Sequence, residues 1–226
     1  RSDVKSVCGD YPAVISFDLG HIELGDTMSL DKVPFTKIRK EILNQYKRGG
    51  MSSLSWHLRN PLTGGDSWDV SDTTVVKSIL PGGANHEKFT GWVSKVSAFI
   101  NSLQTEEGVK VPVLFRPWHE HTGSWFWWGE KLCTPEEYKA LWHMTVDILR
   151  NDGVDNALYA YSPGSEPQDT AQYLKRYPGD ELIDLIGFDT YQFERDTYLA
   201  NLEKSLAIVD SIGKVHNKVI AITETG

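Results

Sequence analysis

The sequence predicts an α/β fold, a (β/α)8 TIM barrel, and three observations predict it. Short apolar strands alternate with amphipathic helices along the chain, which implies a parallel sheet. Polar residues gather where those strands end: Asp18, His57, Arg116 to Glu120, Ser162, Asp189 to Tyr191 and Thr223 to Thr225. In a barrel all these ends share one face, and that face carries the chemistry. No GxGxxG follows the first strand, which argues against a doubly wound nucleotide-binding sheet.

Ala13 to Asp18 is the first strand and ends on an acid. Phe35, Ile38, Ile42 and Tyr46 then fall on one face of a helix that Gly49 and Gly50 stop. Met51 to His57 is the next strand. It feeds a long loop, NPLTGGDSWDVSDTT, rich in Gly, Asp and Thr and carrying Trp68. Loops of this length inside a compact domain are usually functional. Phe89, Trp92, Val93, Val96, Phe99, Ile100 and Leu103 mark a helix with a continuous apolar face. Val109 to Phe115 reads as a buried strand. Thr134, Pro135 and Glu137 supply an N-cap, a first-turn proline and a capping box for a helix that runs to Arg150. Further strands start at Ala157 and lie within LIDLIGFDTY, which ends at Tyr191. Leu199, Leu202, Leu206 and Val209 mark a helix that Gly213 closes, and Lys218 to Gly226 is the last strand. There is no linker, repeat or low-complexity tract, so residues 1–226 read as one catalytic unit.

Composition excludes several partners. The net charge is -8, from 23 Lys+Arg against 31 Asp+Glu, with no basic block, so nucleic acid is not expected. No apolar run is long enough to span a membrane. Cys8 and Cys133 fit neither a metal spacing nor a CxxC pattern; free thiols and a single bridge both stay open.

The chemistry concentrates in Arg116 to Gly129, RPWHEHTGSWFWWG. Here Glu120 sits between two histidines and among Trp118, Trp125, Trp127 and Trp128. Indole rings stack on the C–H faces of sugars, and they disfavour a charged carboxylate, which suits Glu120 to act as an acid with a raised pKa. Of this wall, Trp125 and Trp128 count as substrate-binding. The competing reading makes the tryptophans core and Glu120 a surface charge, but His-Glu-His is an odd insertion in a core. A second glutamate, Glu224, lies at another strand end between Thr223 and Thr225, whose hydroxyls can solvate an anion. Two carboxyls flanking a bond are what glycoside hydrolysis needs: one protonates the leaving oxygen, the other attacks the anomeric carbon or activates water. Arg116 has the strand parity of Glu120, subject to Pro117, and its guanidinium would keep a neighbouring carboxylate ionised. Tyr191 is placed to donate its phenol hydrogen to the same carboxylate, and Asp189 is counted with it at that strand end. For Arg116 an interior ion pair, and for Tyr191 simple packing, are the plainer alternatives.

These segments resemble family 26 of the glycoside hydrolases, chiefly β-mannanases. RPWHEHTGSWFWWG looks like its acid/base segment, and SWHLRNPLTGG, YPGDELIDLIGFDTY and AITETG carry the likeness over nearly the whole chain. The resemblance implies a retaining endo-β-1,4-mannanase acting on mannan, glucomannan or galactomannan. Glu120 would be the acid/base and Glu224 the nucleophile. His119 would orient Glu120 or the sugar, Tyr191 would contact the nucleophile, and His57, Trp68 and Trp125 would line the subsites at the cleaved bond. His121 and Thr122 stand where Met and Asn are more usual. The resemblance also implies a secreted, periplasmic or cell-surface location, and no cofactor. Because the acid/base belongs after strand four and the nucleophile after strand seven, the strands present would be two to seven. The barrel is then expected to be truncated at both ends, with a gap between its first and last strands.

Three alternatives stand beside this reading. A β-1,3-xylanase or mixed-linkage β-glucanase would use the same machinery. A metal-dependent hydrolase would use His119 and His121, but HExxH is absent and no metal is expected. A non-catalytic glycan-binding protein would need the aromatic platforms but neither carboxylate.

Overall fold

Six apolar runs form strands in the computed structural model, which describes residues 2–193 and 195–226. They are β1 (Val14–Asp18), β2 (Met51–Ser55), β3 (Val113–Arg116), β4 (Ala157–Tyr161), β5 (Leu185–Thr190) and β6 (Val219–Thr225). Every neighbouring pair is parallel, and the sheet order is β1-β2-β3-β4-β5-β6. The order never reverses, so there is no switch point of the doubly wound kind; each crossover steps the same way round, as in part of a barrel. Among the described residues β1 and β6 are each paired on one side only. Val14, Val219 and Ile222 on these outer strands are exposed.

The longer crossovers are the expected helices. They are α2 (Phe35–Lys47), α4 (His86–Asn101), α5 (Pro135–Asn151) and α7 (Arg195–His216), with the shorter α1 (Asp3–Cys8), α3 (Val75–Ile79) and α6 (Thr170–Leu174) beside them. The short three carry too little periodicity to be read in advance. The α5 capping box is formed as predicted, with Thr134 accepting from the Glu137 amide and Glu137 accepting from the Thr134 amide.

Three local expectations change. Tyr46 is exposed, and Gln45 takes the buried place on α2, donating to Pro12 O at 2.8 Å and Ala13 O at 3.1 Å. A glutamine there ties the helix to the entry of β1 by hydrogen bonds that an apolar ring would not make. Gly213 does not close α7, which continues to His216. A Cβ at Gly213 would stand 2.5 Å from Ile220 Cγ2, so the glycine permits close approach of α7 to β6. The third strand begins at Val113, not Val109, because the preceding residues turn back in an antiparallel bridge from Gln104 to Lys110. Cys8 and Cys133 are both free, Cys8 exposed and Cys133 buried.

The core lies between sheet and helices and reaches up under the strand ends. Trp118 packs on Trp56, Phe89, Trp127 and Trp128 at ring-centroid distances of 5.8, 5.9, 5.6 and 5.6 Å. Three of the four tryptophans expected around Glu120 are therefore core: Trp118, Trp127 and Trp128 have no exposed surface. The reading of Trp128 as a sugar platform is corrected. Its indole lies beneath the site, and its Nε1 donates to His119 O at 2.9 Å.

Candidate active site

The two glutamates reach the same face by different routes. Glu120 lies four residues beyond β3, where simple alternation no longer applies. Trp118 and Glu120 both have left-handed backbone, with φ of 56° and 53°. Non-glycine residues seldom adopt that region, and they hold it only where surrounding contacts over-determine it. Those contacts are present: Tyr138 OH donates to Trp118 O at 2.7 Å, and the Glu120 amide donates to Ser162 O at 2.7 Å. The carboxyl then accepts from Trp125 Nε1 at 2.7 Å. Trp125, the fourth tryptophan, is 40 % exposed and is the indole that meets the carboxylate.

Glu224 arrives through a bulge. The register between β5 and β6 runs from Phe188–Ile222 to Asp189–Glu224, leaving Thr223 as an extra residue. Bulges re-aim side chains beside active sites, and here consecutive residues both turn inward. Thr223 Oγ1 donates to Asp189 Oδ1 at 2.7 Å, while Glu224 turns to Arg116 and Tyr191. Gly187 makes room for this turn, since a Cβ there would lie 2.6 Å from Thr223 Cγ2. The threonine hydroxyls flanking Glu224 do not solvate it, as the sequence suggested; Thr225 faces Tyr198 instead. The guanidinium and the phenol take that part.

Arg116 is the hub. It is 2 % exposed and forks between two acids: Nη1 donates to Asp189 Oδ2 at 2.6 Å, and Nη2 donates to Glu224 Oε2. Asp189 is completed by Ser162 Oγ at 2.6 Å. The Tyr191 hydroxyl donates to the second Glu224 oxygen, and burial and the neighbouring carboxylates hold that phenol well above its ordinary pKa, so it remains a donor. The interior ion pair considered for Arg116 is present, and the same guanidinium reaches Glu224. Arg116 and Asp189 are both buried, each 2 % exposed.

A second network lies behind Glu120. Asp18 Oδ2 holds His57 Nδ1 at 2.6 Å, and His57 Nε2 meets His119 Nε2 at 3.0 Å. Burial pulls the His57 ring down, but the hydrogen bond and charge of Asp18 outweigh it and raise the ring above its ordinary value. Burial leaves His119 well below its ordinary value, hence neutral. One Nε2–H of this pair donates to the other ring, which links Asp18 through His57 to His119. Trp68 stacks on His57 at 5.5 Å and 14°, and it is 51 % exposed. His121 points elsewhere, buried between the rings of Tyr138 and Tyr161. The imidazoles of His119 and His121 thus diverge. No group of three or more His, Cys, Asp or Glu among the described residues is placed to hold a metal.

A cavity of about 580 Å³ opens beside Glu120, lined by Trp125, Glu166, Asp189, Tyr191 and Phe193 among others. Burial raises the Glu120 carboxyl above its ordinary value, the Trp125 N–H restrains the rise, and the Glu224 charge adds to it. Replacing Trp125 with Phe removes a donor to the ionised form. The carboxyl of Glu120 is then expected to titrate at higher pH than in the unaltered protein, as read from its 13C NMR shift. An unchanged or lower titration point would mean that Trp125 does not hold the anion.

Asp18, Ser162 and Thr223 belong to the site although none was proposed as a site residue. Their signal was visible, since each is a polar residue at a strand end. Phe126, stacked on Trp128 at 4.5 Å and edge-on to His57 at 5.2 Å, carried no such signal.

The chain matches the family described as Glycosyl hydrolase family 26 over residues 1–224. It is 35 % identical to a mannan endo-1,4-beta-mannosidase of Bifidobacterium adolescentis, over 100 % of this chain and 24 % of that protein. It is 27 % identical to a mannan endo-1,4-beta-mannosidase of Bacillus subtilis, over 99 % of this chain and 60 % of that protein. A GH26 beta-mannanase structure from Bacteroides ovatus superimposes with a TM-score of 0.99 at 62 % identity, covering 100 % of this chain and 66 % of that one. The chain thus spans less than two thirds of the length of these relatives.

Proposed function

Because this chain belongs to glycosyl hydrolase family 26, we propose that it supplies the catalytic pair of a retaining endo-β-1,4-mannanase acting on mannan, glucomannan or galactomannan. The observation that carries the reading is the unequal setting of two glutamates on one face. Glu120 is raised by burial beside Trp125, and Glu224 is held by Arg116 and Tyr191. That asymmetry supports a division into acid and nucleophile.

In the first step Glu224 attacks the anomeric carbon, and Glu120 gives its proton to the departing glycosidic oxygen. In the second step Glu120, now a carboxylate, takes a proton from water, which displaces Glu224 and releases the sugar with its original configuration. Arg116 and Tyr191 fix the attacking oxygens of Glu224. Trp125 sets the rotamer of Glu120, and Trp68 over His57 offers a flat face to a sugar ring. On this reading β1 to β6 correspond to strands two to seven of a (β/α)8 barrel. A polysaccharide substrate is too large to cross a membrane, so a secreted, periplasmic or cell-surface site of action goes with the proposal.

The test is parallel digestion of galactomannan, glucomannan, xylan and mixed-linkage glucan with the products sized. Manno-oligosaccharides of mixed length from the first two, and little from the others, are expected. Prevailing release from glucan or xylan would move the assignment to a glucanase or xylanase of the same family, and binding without product would leave a glycan-binding protein.

A further inference from the structure

The loop that carries Glu120 is held by a cation that touches neither glutamate. Arg176 lies in the segment after α6, 3 % exposed, with no carboxylate paired to it among the described residues. Its guanidinium donates to backbone carbonyls: Nη1 to His121 O at 2.9 Å and Trp128 O at 3.1 Å, Nη2 to Gly129 O at 3.2 Å and Cys133 O at 2.5 Å. Four terminal N–H groups thus meet four carbonyls, all from the stretch between Glu120 and α5. The Cys133 thiol, which burial raises to about 11 and so keeps neutral, lies 3.1 Å from the same nitrogen. Beneath it the Tyr138 ring faces the guanidinium carbon at 4.6 Å, and the hydroxyl of that tyrosine pins Trp118 O on the other side of Glu120.

Burying a guanidinium without a counter-charge carries a large desolvation cost, so its position calls for a reason. A hydrophobic residue would fill the space, but it would take from His121 O and Cys133 O their donor, while Gly129 O would keep the Leu132 amide and Trp128 O the Cys133 thiol. What the four carbonyls share is control of one object. His121 O is the peptide immediately after the strained Glu120, and Trp128 to Cys133 close the loop whose tip presents Trp125 to the Glu120 carboxyl.

We propose that Arg176 is a positioning residue for proton transfer: by clamping the carbonyls of His121, Trp128, Gly129 and Cys133 it holds Glu120 and Trp125 in the geometry that protonates the leaving oxygen. The proposal rests on Glu120 being the acid. Lysine cannot replace the planar fork, because one ammonium cannot span four carbonyls in this arrangement.

The test compares kcat/KM on mannan, whose leaving oxygen needs a proton, with kcat/KM on a dinitrophenyl β-mannobioside, whose phenolate leaves without one. The ratio of the two is independent of how much protein is correctly folded. Arg176→Lys and Arg176→Gln, made in the intact protein, are expected to lower the mannan-to-aryl ratio by about tenfold or more, in line with the sensitivity of catalysis to small misplacements. Glu120→Ala is the reference and should lower the ratio further. If Glu120→Ala lowers the ratio and both Arg176 variants leave it unchanged, or if neither variant yields any active protein, Arg176 is structural and the proposal is overturned. If Glu120→Ala itself leaves the ratio unchanged, the acid assignment fails first, a result distinct from failure at Arg176.

Discussion

Replacing Glu224 with alanine is expected to reduce hydrolysis of mannan by about four orders of magnitude or more, the scale of losses seen when a covalent nucleophile is removed. The loss has a specific reason here. Arg116 Nη2 and the Tyr191 hydroxyl each hold one oxygen of Glu224, so no nearby group can take over its attack. Azide is small enough to enter the space left by the side chain. It should restore part of the turnover by attacking the anomeric carbon from the same side, giving an α-mannosyl azide. Turnover unchanged in Glu224→Ala would end the double-displacement account. Loss without azide rescue would mean that Glu224 acts on something other than the anomeric carbon.

Arg116→Met should be the most damaging single change for stability. The guanidinium and Asp189 are both buried, and removing one partner strands the other. Breaking such a pair costs about 3–5 kcal/mol, which for a domain of this size lowers the melting temperature by roughly 10 °C. Most of that cost belongs to Asp189. Glu224 is 37 % exposed at its side chain, so water screens its half of the fork. Activity should fall with stability, because Glu224 loses the cation that orients it. Thermal unfolding followed by circular dichroism checks the first effect. A shift below about 3 °C, less than 1 kcal/mol on the same scale, would show that Asp189 finds another partner.

The strand–helix alternation and the capping box of α5 were readable because each rests on local periodicity or on a few residues at fixed spacing. Arg116 was also readable, since alternation along β3 turns it inward and the acids it meets end other strands. Glu120 faces the site for a reason alternation does not contain: two left-handed residues past the strand, held by contacts from Tyr138 and Ser162. The tryptophan wall misled by composition. Trp118, Trp127 and Trp128 share a segment with Glu120, but Trp118 packs on Trp56 and Phe89, Trp127 and Trp128 pack on Trp118, and Trp125 alone of the four turns to the carboxylate. The threonines around Glu224 misled by adjacency, because a bulge sends Thr223 to Asp189. Arg176 was invisible in the sequence, since nothing in LKRYPG signals a cation destined for backbone carbonyls distant along the chain.

The central claim is that Glu120 and Glu224 work by double displacement across one bond. Proton NMR of the sugar first released from a manno-oligosaccharide, recorded before mutarotation, tests it most directly. The account predicts the β-anomer at the new reducing end, rising first and decaying toward the α/β equilibrium. The α-anomer appearing first would mean a single inverting displacement by water, and Glu224 would then be a base rather than a nucleophile.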